Sequence, residues 1–510
     1  MNKQYLLFAA AYVLLSCSSK EIKEKKTDEA IIEVKIDPAR TFQTIDNFGA
    51  SDAWSCQFAG NWPEDKRNAM ADWLFSLDTL QDGSPKGIGL SAWRFNFGAG
   101  SARQGEASGI KDEWRRAESF LDADNNYNWN RQQGQVWFLQ AAKQRGVKDF
   151  IGFYNSPPIQ FTRNGKAFAS NKICNIGSNR YQDFAGYITS TIKGVRQKAG
   201  VDINYISPVN EPQWDWSDGG QEGSPYYNSD ISGLVKSINQ ALQENQLSTK
   251  IILSEAGELN YLYENRGKPG KGTQTDAFFN AASPDYIGNL SNVEKIITAH
   301  SYFTSSPFDE AIKIRKQVQL NISKINGLKF WQSEYCILGD NYGEIKGEGK
   351  DLSITPALYV AKLVYNDLVN ANATAWQWWL AVSPYDYKDG LIYIDMNKMD
   401  GKYYSSKIMW ALGNYSRFIR PGMKRVELKL SAPEIHASAY VDETKKKLVV
   451  VTVNESKSDK KIVCNIEGNT AIQKADIFLT TATKDLAKTP GMLNDLTLPA
   501  ESVTTIVISY

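Results

Sequence analysis

Two glutamates in matching contexts carry the chemistry open to this sequence. The run Ile206-Ser207-Pro208-Val209-Asn210-Glu211-Pro212 reads as a short strand running into a carboxylate, because Pro212 forbids further ladder pairing. A second ending of this kind lies 123 residues on (334 − 211), in Phe330-Trp331-Gln332-Ser333-Glu334-Tyr335. Breaking a glycosidic bond takes one carboxyl to protonate the leaving oxygen and another to act as nucleophile or base. Strand ends around a barrel mouth hold such groups a few ångströms apart, whatever their separation in sequence. The plain alternative for either glutamate is a solvated or ion-paired loop residue; their contexts disfavour it, and the repetition disfavours it further. Glu255 and Glu258, after another strand, are the rival carboxylates.

Something must place those strand ends together. Eight short apolar runs recur: Ile45–Ala50, Gly89–Asn96, Asp149–Tyr154, Tyr205–Val209, Lys250–Ser254, Ile296–Ser301, Lys329–Ser333 and Thr374–Trp379. Between them apolar residues fall at helical spacing, as in Phe184, Tyr187, Ile188, Ile192 and Val195, or Ala357, Val360, Ala361, Val364 and Leu368. Eight strands alternating with helices predict an α/β fold, a (β/α)8 barrel over residues 45–420. A doubly wound open sheet is the competitor. It is disfavoured because the candidate residues fall at many strand ends rather than at one switch point. After Pro421 short alternating strands take over, so residues 421–510 are expected to form a β-sandwich, joined by a strand from residues 31–44. Asn454 to Lys460 reads as a hairpin loop within it.

Composition narrows the partners. The 510 residues suit a barrel with a smaller module, and 58 Lys and Arg against 57 Asp and Glu give no electrostatic case for nucleic acid. The 14 Trp and 25 Tyr offer flat platforms for the apolar faces of sugar rings, although many must be core. With two histidines, His300 and His436, a His-rich metal site is disfavoured, and no Gly-rich phosphate loop is present. Neither metal nor cofactor is therefore expected, and His436 reads as structural. Cys56, Cys174, Cys336 and Cys464 fit no zinc spacing and read as buried thiols.

The N-terminus reads as an export signal: Lys3, an apolar core from Tyr5 to Leu15, then Leu14-Leu15-Ser16-Cys17. Leu-x-Ser-Cys resembles a bacterial lipobox in which Cys17 is lipidated after cleavage. Residues 1–17 are then a lipoprotein signal peptide and the Lys- and Glu-rich residues 18–30 a flexible tether. An ordinary signal peptide that happens to contain a cysteine is the plainer alternative.

The string Ser207-Pro-Val-Asn-Glu-Pro-Gln-Trp-Asp-Trp216, with Gln221-Glu222-Gly223, resembles glycoside hydrolase family 30 of clan A. Gly49-Ala-Ser-Asp-Ala53, Arg94-Phe-Asn-Phe-Gly-Ala-Gly100 and Asn155-Ser-Pro-Pro158 fit the same family, the contexts of Arg94 and Asn155 look closest to its endo-β-1,6-galactanase branch, and the resemblance makes Asn155 a substrate-binding candidate. The resemblance implies a retaining double displacement with Glu211 as acid/base, Glu334 as nucleophile and Asn210 on the sugar 2-hydroxyl. It also implies that His300 or Tyr302, in Thr298-Ala-His-Ser-Tyr302, orients the nucleophile or contacts the sugar.

Other candidates follow from position. Arg94 either holds a catalytic carboxylate by a charge-assisted bond or makes a structural ion pair. Trp376 and Trp378 share one face of the last strand, so one of them is expected to stack on the sugar while Trp379 joins the core. Trp54, Trp214 and Trp216 lie in loops near the mouth, and Asp52 either binds hydroxyls or ties down a loop.

The expected protein is thus a lipid-anchored retaining hydrolase of β-1,6-galactan, as in arabinogalactan side chains. It is expected to be a monomer in the bacterial outer membrane, periplasmic or surface-facing, with the anchor as its sole membrane contact. Alternatives are β-1,6-glucanase, xylanase or glucuronoxylanase, exo-β-glycosidase, or a non-catalytic glycan-binding surface lipoprotein. The last needs aromatics but no acid/nucleophile pair.

Overall fold

The structure, a computed structural model, describes residues 31–468, 474–493 and 496–510. The expected signal peptide (1–17), the lipid-bearing Cys17 and the tether (18–30) lie outside the described residues. Among the described residues two sheets organise the chain. The first strand, β1 (Ile32–Thr44), joins the second sheet, and the barrel begins immediately after it.

Eight parallel strands close the barrel: β2 (Asn47–Ser51), β3 (Ala92–Asn96), β4 (Asp149–Phe153), β5 (Tyr205–Ser207), β6 (Lys250–Ala256), β7 (Val293–His300), β8 (Lys329–Glu334) and β9 (Ala375–Ser383). Each pairs with the next, and β9 pairs with both β8 and β2, which closes the ring. Every expected barrel strand is found within a few residues of its predicted span. Helices Tyr181–Ala199, Asn228–Glu244 and Ile354–Val369 form where apolar spacing predicted them. Two elements had no clear signal: β10 (Gly390–Ile394) extends the sheet beside β9, and β11 (Tyr403–Ser405) pairs antiparallel to β10.

Alternation along the strands layers the barrel interior. Ala92, Ile151, Ile252, Ile296, Trp331 and Ala375 pack as one apolar plug. Two residues further along β3 and β8 the same face carries Arg94 and Ser333, and four further along β7 it carries His300. Polar chemistry therefore gathers at the carboxyl ends of the strands, above a dry floor.

The remaining strands are β12 (Lys424–Leu430), β13 (Ile435–Asp442), β14 (Lys447–Asn454), β15 (Lys460–Ile466), β16 (Lys474–Thr480), β17 (Ala487–Thr489), β18 (Leu496–Leu498) and β19 (Ser502–Ser509). With β1 they form one hydrogen-bonded, mostly antiparallel sheet in the order β17-β16-β19-β14-β13-β12-β1-β15-β18. On β14, Val449, Val451 and Val453 pack into the barrel core, whereas Leu448 and Val450 face a separate core with Val34, Ile36, Ile462 and Leu498. The barrel covers one face, so the sheet curls over itself to cover the other. The expected hairpin at Asn454 to Lys460 is not one: β14 pairs β13 and β19, while β15 crosses over to pair β1 and β18. Among the described residues no helix is long and apolar enough to cross a membrane.

Candidate active site

Glu334 is the last residue of β8, as expected, but β5 stops at Ser207 and Glu211 sits four residues beyond it. The Glu211 backbone takes a φ of 41°, unusual for a side chain with a Cβ, and its N–H donates to the Glu255 carbonyl at 2.8 Å. Trp216 Nε1 donates to the Glu211 carbonyl at 3.0 Å. Bonds to two neighbouring segments thus fix a glutamate that sequence placed at a strand tip.

The two carboxylates meet. An oxygen of each, together with a His300 nitrogen, lie within 4.8 Å of one another. His300, last residue of β7, has Nδ1 2.8 Å from Glu211 Oε1 and 3.5 Å from Glu334 Oε1. A register shift between Ala299 and His300 sets His300 opposite Glu334. On the other side of the ring, Nε2 lies 3.0 Å from Glu255 Oε2. Glu334 receives a second set of bonds, from Arg94 Nη1 at 2.9 Å to Oε2 and from Tyr302 Oη at 3.1 Å to Oε1. Arg94 also reaches Glu255, at 3.6 Å, and stacks its guanidinium 4.4 Å from the Phe153 ring centroid.

Burial and charge divide the roles of the three carboxylates. Loss of water raises the Glu211 carboxyl above its ordinary value, and the nearby charges of Glu334 and Glu255 add to this against the His300 bond. Glu255 is just as buried, but Arg94, His300 and Ser333 outweigh that cost and hold it at about 2. Burial works against charge on His300 too; Glu334, Glu211 and Glu255 together nonetheless hold it up at about 10. The imidazolium therefore donates from both nitrogens. Glu211, His300 and Glu334 also converge as metal ligands do. A charged imidazolium offers no lone pair, however, and Arg94 already supplies a cation there.

A cleft of about 1020 Å³ opens over the pair. Of the residues singled out by sequence, Glu211, Glu334, Asn210, Tyr302, Trp54, Trp214 and Trp216 line it. Arg94 and His300 lie beneath the carboxylates, fully buried, and hold them. Of the rival carboxylates, Glu255 is fully buried outside the cleft and Glu258 pairs with Arg266 at 3.3 Å.

Four expectations need correction. Trp376 and Trp378 do share a face, but it looks outward to the helix layer: Trp376 Nε1 donates to Asp367 at 2.9 Å and Trp378 Nε1 to the Asp389 carbonyl at 2.6 Å. Trp379 lines the cleft instead, edge-on to Trp54 with ring centroids 5.3 Å apart. The cause is alternation: Ala375 belongs to the inward apolar plug, so Trp379, four residues on, shares its face and turns toward the mouth. Asp52 is fully buried off the cleft, its Oδ1 accepting from Asn96 N at 2.8 Å and Gln135 Nε2 at 3.2 Å, which ties the loop after β2 to β3. Asn155 is also buried off the cleft, with both amide atoms unpartnered among the described residues.

Sequence reasoning missed Tyr385, Tyr387 and Asp389, which line the cleft from the segment between β9 and β10. The run Pro384-Tyr-Asp-Tyr387 straight after the last barrel strand was the available signal. It also missed Glu222. That buried carboxylate accepts from Ala99 N at 2.8 Å and Ser101 Oγ at 2.6 Å, which ties the loop bearing Trp214 and Trp216 to the loop after β3.

Known proteins agree with this architecture. An endo-β-1,6-galactanase from Hypocrea rufa is 25% identical over 435 residues, covering 82% of this chain and 80% of its own. The crystal structure of a conserved exported protein from Bacteroides fragilis superposes with a TM-score of 0.85 at 35% identity, covering 93% of this chain and 99% of that one. The catalytic domain of a family 30 xylanase C from Talaromyces cellulolyticus shares the fold at a TM-score of 0.69 and 20% identity, over 94% of this chain and all of its own. The model of O-glycosyl hydrolase family 30 matches residues 31–393, from the first strand of the sheet domain through the whole barrel to β10, and to that family the chain belongs.

Proposed function

We propose that this O-glycosyl hydrolase cleaves β-1,6-linked galactan with retention, through a covalent glycosyl-enzyme. The carrying observation is the approach of Glu211 and Glu334 to within 4.8 Å between oxygens. Retaining pairs stand about 5–5.5 Å apart, whereas inverting pairs leave about 6.5–9.5 Å for a water.

Charge balance assigns the roles within this reading. Arg94 and His300 carry positive charge, and Glu255 and Glu334 carry negative charge. The buried cluster is then neutral when Glu211 holds its proton, as a general acid must. Glu334 attacks the anomeric carbon while Glu211 gives its proton to the leaving oxygen. Esterification removes the charge of Glu334, and the newly ionised Glu211 restores neutrality. Water then enters, Glu211 takes its proton, and the ester breaks. Arg94 and Tyr302 hold Glu334 in line, and Asn210 Oδ1, unpartnered among the described residues, is free for a sugar hydroxyl.

The galactan substrate rests on the Hypocrea rufa relative. Export and lipidation at Cys17 belong to the same proposal, supported by the lipobox-like Leu14-Leu15-Ser16-Cys17 and the exported Bacteroides fragilis relative. The test is product analysis on β-1,6-galactan, de-arabinosylated arabinogalactan, β-1,6-glucan and glucuronoxylan, with wild type beside Glu334→Gln. Short β-1,6-galacto-oligomers of retained anomeric configuration, absent with Glu334→Gln, are expected. Cleavage of another polymer moves the substrate, and inverted products overturn the mechanism.

A further inference from the structure

Asp389 lines the cleft from the residue before β10, with 7% of its surface exposed. Ser383 and the Asp389 backbone N–H bond its carboxylate, while Oδ1 has no partner among the described residues. Trp54 Nε1, in the same cleft beside Trp379, is unpartnered as well. A buried acceptor left unmade is costly, and binding sites are where such groups are kept for a ligand. The cost appears in the carboxyl itself, which burial pushes up to about 6.

Asp389 lines the cleft together with Tyr302, which donates to Glu334 on the nucleophile's side at 3.1 Å. In a double displacement the sugar that becomes bonded to the nucleophile sits on that side, and the leaving part sits against the acid. Two cations line the cleft: Lys172 pairs with Asp215 at 3.1 Å, and Arg115 pairs with Asp112 at 3.6 Å while its charge also favours ionised Asp389. The pocket around Asp389 thus offers an acceptor and a donor for sugar hydroxyls.

We propose that Asp389 is a specificity-determining residue that accepts a hydrogen bond from a 3- or 4-hydroxyl of the sugar seated against Glu334. The inference rests on the retaining-hydrolase reading; Asn210 takes the 2-hydroxyl in that reading, which leaves these two. A 4-hydroxyl contact makes Asp389 a selector between galactose and glucose, which differ at that carbon.

The test pairs a protein change with a substrate change. Wild type and Asp389→Asn, an isosteric variant checked for an unchanged melting temperature, are assayed on 2,4-dinitrophenyl β-1,6-galactobioside. They are also assayed on its 3-deoxy and 4-deoxy forms, altered in the sugar that bears the leaving group. Asp389→Asn is expected to lower kcat/KM on the parent by about 10- to 100-fold. One deoxy substrate shows the same loss with wild type, and no further loss beyond about twofold with Asp389→Asn. A purely structural role does not couple to one hydroxyl. Unchanged kcat/KM in Asp389→Asn, or losses that simply multiply for both deoxy substrates, overturns the proposal. If wild type hydrolyses neither the galactobioside nor any polymer, the hydrolase reading fails instead. Calorimetric titration with galactose then decides for Asp389: binding weakened in Asp389→Asn upholds it, and binding equal or absent in both proteins overturns it.

Discussion

His300 Nε2 stands 3.0 Å from Oε2 of Glu255, a carboxylate that lies wholly outside the cleft. With Glu334 and Glu211, Glu255 holds charge on the imidazolium whose other nitrogen touches Glu211, so a carboxylate outside the cleft contributes to the charge balance around the acid.

Glu255→Gln is therefore expected to lower the His300 pKa from about 10. Breaking one member of a buried ion pair also costs about 3–5 kcal/mol of stability. With two histidines in the sequence, ring-nitrogen NMR reads the change directly. Wild-type His300 should keep its second ring proton to higher pH than the variant; an unchanged titration refutes the contribution of Glu255.

Leaving-group dependence separates Glu211 from Glu334. Glu211→Gln is expected to lose about 10²–10⁴-fold on polysaccharide, the usual worth of a general acid, but to keep fast release of dinitrophenolate, which needs no proton. Glu334→Gln loses both reactions. A reversed pattern exchanges the two roles.

Trp378 and Trp379 are adjacent yet should fail differently. Trp378 is fully buried against the helix layer, so Trp378→Ala is expected to cost about 3–5 kcal/mol and lower the melting temperature sharply. Trp379→Ala, at the cleft wall, should raise KM by about tenfold while the melting temperature falls far less. Equal stability losses with unchanged KM would refute this assignment of faces.

Stability should be greater in mild acid than in mild alkali. Burial raises Glu222 to about 7, so its contribution is full below the unfolded carboxyl value of about 4.3 and is lost as pH rises through 7. His300, raised to about 10, contributes fully below about 6.5 and loses that contribution as pH rises through 10. Glu255, held at about 2, acts oppositely and loses its contribution only in strong acid. Melting temperature is thus expected to fall from about pH 5 to pH 9. Glu222→Gln should flatten the part of that slope below pH 7, and an unaltered slope removes Glu222 from the account.

Much of this protein is written locally. Short apolar runs and helical spacing mark the eight barrel strands and the principal helices, because each element must bury its apolar residues whatever its neighbours are. Pro212 and the strand-ending contexts single out Glu211 and Glu334 for similarly local reasons. Local pattern cannot say which face of β9 meets the helices, since both are apolar in a parallel sheet; it therefore placed one of Trp376 and Trp378 at the sugar. Which face of β9 turns inward is settled only when the strand closes the barrel between β8 and β2, putting Ala375 in the plug and Trp379 at the cleft. Likewise the route of β15 to β1, rather than to its neighbour β14, is fixed by long-range pairing.

The proton chemistry is the clearest division. Glu255 and Glu211 are the same residue type at comparable burial, and the sequence alone left Glu255 a rival. Their separation, one held at about 2 and the other raised, comes from where closure of the barrel puts Arg94 and His300. Sequence determined which carboxylates stand at strand ends; tertiary structure decided which one keeps a proton, because electrostatic energy depends on distances that only the closed barrel sets.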